Sequence, residues 1–240
     1  MTADAKWNDR GEGPRLERPA VTAGGASPQV ETHLSTAREM EAHGDGPAAI
    51  EQYEQALRLE PELSGVHARL AELYANLGQA DRAEREFVVA LAEDDGDAEL
   101  WNDYAGHQLQ TGRLEEAEKS ARRALSLDAE HRRARVCLGL ILAEQGRNDE
   151  SLCEFEKAVP PAAAHHNLAI ILARQGKADE ARAEFAEARR IDPTLRPPPT
   201  VLKQLSEAYV QAAEAAEARD ERAMRSSVAD VPESREKTRK

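Results

Sequence analysis

The amino-acid sequence predicts an all-α protein, a solenoid of stacked helical pairs, and two observations carry that expectation. Among 240 residues only 4 % are aromatic while 32 % are charged, with Ala, Glu, Arg and Leu dominant. Such side chains lose little freedom on entering a helix, and strand formers are too scattered to build a sheet. The second observation is self-similarity. Glycines stand at Gly44, Gly78, Gly112, Gly146 and Gly176, spaced 34, 34, 34 and 30 residues apart.

Each glycine heads the same pattern. Five residues later stands Ala49, Ala83, Ala117, Ser151 or Ala181; nine later, Tyr53, Phe87, Ala121, Phe155 or Phe185; twelve later, Ala56, Ala90, Ala124, Ala158 or Ala188. The glycine is expected to end a first helix, where a left-handed backbone is needed. Small residues at the fifth and twelfth places let two helices approach closely, and the ring between them fills the remaining space. Acidic residues Asp81, Glu115, Asp149 and Asp179 mark the start of each second helix, where the helix dipole favours negative charge. In the first copy Pro47 takes that place.

Taken in order, the units run at about 30–63, 64–97, 98–131, 132–161 and 162–195. Leu70 and Tyr74 in the second copy, Trp101 in the third, and Leu138-Gly139 in the fourth share out a W-x2-LG-x2-Y start. Pro61 and Pro193 follow the second helices of the first and last units, replaced by Asp95 and Ala129 in between. This pattern resembles the tetratricopeptide repeat, a helix-turn-helix unit of 34 residues. The resemblance covers about Val30 to Leu195 and implies a right-handed α-solenoid of five units, stable only through stacking. The fourth unit is four residues short and ends in "KAVPPAAAHHNLA". Its second helix is therefore expected to stop about one turn early, at Pro160-Pro161.

After the prolines that follow Arg196, residues 196–219 form an expected capping helix, with Val201, Leu205, Ala208, Tyr209, Ala212 and Ala216 on one face. The flanking segments, 1–28 and 220–240, are polar and expected to be disordered. The N-terminus lacks the apolar core of a secretory signal, no apolar run is long enough to span a bilayer, and Cys137 and Cys153 make neither a disulfide framework nor a zinc site. A cytoplasmic protein is the expectation.

Enzyme signatures are missing: no phosphate-binding glycine loop, no nucleophile elbow and no H-E-x-x-H helix occur. His33, His67 and His165 share the register of Trp101, which suits packing better than metal binding. His165 and His166 are adjacent and point to different sides of a helix. A net charge of −13 argues against nucleic acid. No catalytic residue, cofactor or metal is therefore expected, and the chain reads as a non-enzymatic protein-interaction module, an adaptor or assembly scaffold. The alternative is an accessory subunit of a bacterial envelope or pilus assembly machine, since several such proteins carry similar arrays.

The resemblance implies that a peptide or helix of a partner lies on a concave face lined by the first helix of each unit. By register that face carries Glu72, Asn76, Glu99, Asn102, Gln110, Arg133, Val136, Leu140, His166, Ile170 and Arg174, with Glu31, Leu34, Arg38, Glu41 and Glu144 beside them. Family members that bind chaperone tails use a carboxylate clamp of Lys and Asn. The matching positions here are Leu34, Arg38, Arg69, Glu99 and Asp103, which do not reproduce it. Residues 30–131 hold 23 acidic and 9 basic side chains, whereas 132–195 hold 10 of each. That asymmetry suggests a two-part surface, basic partner sequence near Glu72 and Glu99 and apolar sequence near Leu140 and Ile170. The sequence leaves the partner's identity and the oligomeric state open.

Overall fold

The computed structural model describes residues 27–201 and 203. Ten helices follow one another: α1 (Pro28–Ala42), α2 (Gly46–Leu59), α3 (Val66–Asn76), α4 (Ala80–Glu93), α5 (Ala98–Gln110), α6 (Leu114–Leu127), α7 (Arg132–Glu144), α8 (Asn148–Ala158), α9 (Pro161–Arg174) and α10 (Ala178–Ile191). Among the described residues the protein is all-helical. Each odd-numbered helix packs most closely on the even-numbered helix that follows it, and the pairs then pile up side by side.

The turn inside each pair is the same device five times over. Gly44, Gly78, Gly112, Gly146 and Gly176 all have φ between 70° and 78°. In the first pair Gly44 N donates to Glu41 O at 2.9 Å and Asp45 N to Met40 O at 2.9 Å. This pair of bonds satisfies carbonyls that the helix end would otherwise leave open. The same two bonds recur at Gly78, Gly112, Gly146 and Gly176.

The helix starts follow from the turns. Asp45 caps α2 by accepting from Ala48 N at 3.1 Å, with Pro47 in the first turn. The later second helices have no side-chain cap and carry acids in the first turn instead: Asp81 in α4, Glu115 and Glu116 in α6, Asp149 and Glu150 in α8, Asp179 and Glu180 in α10. Ser27 caps α1 through Val30 N, so that helix starts at Pro28, inside the segment expected to be a tail.

Packing follows the repeated small residues. Ala49, Ala83, Ala117, Ser151 and Ala181 are buried, as are the alanines seven places later. Tyr53, Phe87, Phe155 and Phe185 fill the space between neighbouring helices. The core falls into three clusters, and the discontinuity lies around the third pair. There the ring position is Ala121, and Asn102, His107, Gln108 and Ser120 are buried polar groups. Ser120 Oγ donates to Gln108 Oε1 at 2.7 Å, so part of this interior is held by a hydrogen bond in place of aromatic packing.

The short fourth pair behaves as its sequence indicates. Helix α8 has 11 residues against 14 in α2, α4, α6 and α10, and ends at Ala158. Only Val159 and Pro160 separate it from α9, which starts at Pro161. Arg132 Nε closes the truncated end by donating to Ala158 O at 2.9 Å. Beyond α10, residues 199–201 and 203 are helical and Val201 is buried in the last core cluster. The rest of the expected capping helix and, apart from Ser27 and Pro28, both expected tails lie outside the described residues.

Candidate interaction face

Helices α3, α5, α7 and α9 pack on one another in succession, so the first helices of the pairs make a continuous face from α3 to α9. Its rows are set by the repeat. The row ten residues before each glycine holds Leu34, Ala68, Asn102, Val136 and His166. Asn102 and Val136 are only 5 % and 2 % exposed, so this row forms the seam between first helices. His166 at its far end is half-buried and meets Phe185 edge-on, with ring centroids 5.3 Å apart. Burial pushes the His166 pKa below its ordinary value.

The outer row is accessible. Asn76, Gln110 and Arg174 are exposed at the C-terminal ends of α3, α5 and α9. Leu140 and Ile170 share one register position on α7 and α9; both are half-buried and rest on the last core cluster. These two residues give the C-terminal half of the face its accessible apolar character.

The acidic residues of the N-terminal half are engaged within the fold. Arg69 Nη1 lies 3.1 Å from Glu72 Oε2, and Arg69 Nη2 pairs with Glu41. Burial opposes the Arg69 charge, but hydrogen bonding from Glu41 and the Glu72 charge outweigh it and raise the guanidinium pKa. The same ionic group sits beside Tyr53, whose hydroxyl is pushed up to about 12 by burial and then by Glu41. One pair further on, Arg133 pairs with Glu99 and reaches Asp103 Oδ1 at 3.2 Å, while His131 Nε2 lies 3.0 Å from Glu99 Oε2. The acidic half is thus two arginine-centred networks in which four carboxylates, Glu41, Glu72, Glu99 and Asp103, surround two guanidinium groups. Glu72 is 8 % exposed.

Other polar groups pin the stack from different sides. Within a pair, His67 Nδ1 lies 2.6 Å from Glu86 Oε2, His165 Nδ1 lies 2.7 Å from Glu184 Oε2, and His33 Nδ1 lies 2.8 Å from Gln52 Oε1. Arg135 makes the equivalent contact with Glu154 at 3.3 Å. These histidines share Trp101's register, as expected, but bridge the two helices by hydrogen bonds that the sequence reading did not identify. The signal available was a polar residue at both positions, 19 residues apart. Between pairs, Glu84 accepts from Tyr104 Oη at 2.6 Å and Arg113 Nη1 at 3.0 Å. In the next pair, Glu118 Oε2 accepts from Gln145 Nε2 at 3.0 Å and Arg147 Nη1 at 2.8 Å. Burial opposes the Glu118 charge, but hydrogen bonds from Arg122, Gln145 and Arg147 bring its pKa to about 2.

Fold and face together describe a helical-repeat protein. Comparison with known proteins agrees. Two models of the tetratricopeptide repeat match residues 34–98 and 162–195, and the middle TPR-like domain of cilia and flagella-associated protein 70 matches residues 68–166. The chain is a tetratricopeptide helical-repeat protein, of a family that is generally a non-catalytic interaction fold and binds protein or peptide partners. No curated protein matches it.

Solved structures share the fold at low identity. A tetratricopeptide repeat protein from Parabacteroides merdae is 19 % identical, with a TM-score of 0.62, covering 81 % of this chain and 77 % of its own. Pseudomonas aeruginosa pilF is 21 % identical, with a TM-score of 0.55, covering 79 % and 88 %. YrrB, described as a TPR protein with an unusual peptide-binding site, is 20 % identical, with a TM-score of 0.54, covering 68 % and 86 %. Among the described residues no helix is long and apolar enough to cross a membrane.

Proposed function

We propose that this protein is a non-enzymatic adaptor or assembly scaffold, operating in the cytoplasm, that holds a peptide or helix of a partner across the first-helix face. The observation behind this reading is the division of that face. Carboxylates outnumber guanidinium groups four to two within the two ionic networks of the N-terminal half, while Leu140 and Ile170 offer accessible apolar surface on α7 and α9. A partner segment that is basic at one end and apolar at the other complements both halves. YrrB, with its peptide-binding site, supplies a precedent on the same fold. The second reading, a subunit of a pilus or envelope assembly machine, draws on the fold likeness to pilF. That likeness is of the same order as the other matches, so the adaptor reading stands first.

Selection from a random peptide display library against the full chain tests the proposal. Selected sequences should be basic and apolar, bind more weakly as salt is raised, and lose affinity for a Leu140→Ser/Ile170→Ser double variant that keeps its helical circular dichroism. Reversing Glu72 or Glu99 would be a poor probe of charge, because each is held against an arginine inside the fold. Peptides that bind the double variant as tightly as the wild type would overturn the assignment of this face.

A further inference from the structure

Two valines occupy the outermost line of α4. Val88 and Val89 are 54 % and 40 % exposed, on the side of the helix away from the buried Ala83, Phe87 and Ala90. Counted from the turn glycines, these are the tenth and eleventh places. The other second helices carry Glu54-Gln55, Arg122-Arg123, Glu156-Lys157 and Ala186-Glu187 there. Valine is a poorer helix former than any of those residues, and it leaves apolar surface in water. Neither valine belongs to a core cluster, so packing within the stack does not require the pair. The other large exposed apolar side chains among the described residues, Leu59, Leu77 and Ile191, stand singly at helix ends. Arg85 and Ala92, both exposed, continue the line of the valines one turn to either side.

The size of this patch decides what can cover it. A specific interface between separate proteins buries about 800 Å² on each partner, and two valines with an alanine fall far short. A tethered segment needs much less contact, because its effective concentration is on the order of millimolar. Such a segment leaves the stack close by. Ser27 N donates to Glu60 Oε1 at 2.9 Å, so residues 1–26 depart beside the C-terminal end of α2, in the neighbouring pair. Trp7 is the one aromatic side chain within them. The chain between Trp7 and Ser27 can extend to about 66 Å, against helix spacings of about 8–10 Å. Asp9, two residues beyond Trp7, is opposite in charge to Arg85.

We propose that the N-terminal segment returns along the outer side of the second helices, with the Trp7 indole laid over Val88 and Val89 and Asp9 facing Arg85. An indole suits this position because it covers a large apolar area while giving up little conformational freedom. The contact lies on the second helices and is independent of the docking face assigned to the first helices.

The test uses the full chain labelled with 5-fluorotryptophan, which gives one fluorine resonance for Trp7 and one for Trp101, assigned with Trp7→Phe. An isolated peptide of residues 1–26 supplies the signal of an uncovered Trp7. In the full chain the Trp7 resonance should be displaced from that of the peptide, and should move less on changing from ordinary to heavy water. Val88→Glu/Val89→Gln copies the residues of α2, so it should keep its helical circular dichroism and return the Trp7 signal to the peptide value. A wild-type signal equal to the peptide's, or one that stays displaced in the valine variant, would overturn the contact. The displacement should not depend on protein concentration. One that disappears on dilution would place the segment of a second copy on the patch and overturn the assignment to the same chain. Leu140→Ser/Ile170→Ser should leave the Trp7 signal where it is. If that variant returned the signal to the peptide value, the segment would lie on the first-helix face and the assignment to α4 would be wrong.

Discussion

The ring of Phe155 lies directly on the backbone of Gly139. A Cβ on that glycine would stand 2.6 Å from Phe155 Cε1 and 2.7 Å from Cδ1, well inside van der Waals contact. Ser151 Oγ donates to Gly139 O at 2.7 Å beside the same contact. Helices α7 and α8 therefore meet with no side chain between ring and backbone, which gives the Leu138-Gly139 pair of the repeat its purpose.

Two helical glycines should consequently respond to alanine with opposite signs. Alanine favours a helix interior by about 1 kcal/mol over glycine, and at Gly106 nothing opposes that gain. Gly106→Ala should raise stability by roughly that amount. At Gly139 the new methyl must displace a ring buried on all sides, an overpacking cost of about 1–3 kcal/mol. Gly139→Ala should be destabilising despite its better propensity. Urea denaturation of both variants checks the pair, and a stabilised Gly139→Ala would contradict the contact.

The elements that spacing alone sets were legible in the sequence. The left-handed glycines, the buried alanines and the early stop of α8 at Pro160 each depend on residues within a turn or two of one another. The candidate site was less legible, because it depends on contacts between pairs. Counting charges showed Glu72 and Glu99 as acids, but not that Arg69 reaches back from the second pair to Glu41, or that Arg133 reaches back from the next pair to Glu99. Register placed Asn102 and Val136 on the first-helix face. Their burial arises from the packing of α5 on α7, which no single helix encodes. Trp101 shares its position with His67, yet it donates Nε1 to Asp95 O at 2.9 Å where the histidine bridges to Glu86.

Histidines of the stack should pull its pH dependence in two directions. Hydrogen bonding to Glu86 raises the His67 pKa against the opposing effect of burial. Its stabilisation is therefore complete below the ordinary histidine value of about 6.5 and is lost as pH rises through the higher folded value. Burial lowers the His166 and His107 values. Their contributions are present above about 6.5 and are lost as pH falls toward the folded values. His67→Gln should thus cost more stability at pH 5.5 than at pH 8.5. His166→Leu should make the protein less sensitive to acid than the wild type. Thermal melts at the two pH values read both effects, and parallel shifts for the two variants would refute the opposed signs.

The Arg69 network should be worth more as a unit than its parts suggest. Its guanidinium side chain is 26 % exposed and stands between Glu41 and Glu72. Arg69→Met removes the guanidinium group that stands between Glu41 and Glu72 and leaves these two carboxylates in a poorly solvated place. Breaking a fully buried pair costs about 3–5 kcal/mol; partial exposure here puts the expected loss at roughly 2–3 kcal/mol. Replacing the whole group, as Glu41→Gln/Arg69→Met/Glu72→Gln, removes every charge at once and should recover most of the stability. Denaturation of the single and triple variants measures the coupling. A triple variant no more stable than Arg69→Met would mean that Arg69 contributes through packing of its apolar stem against Tyr53 and its neighbours, and that charge balance is secondary.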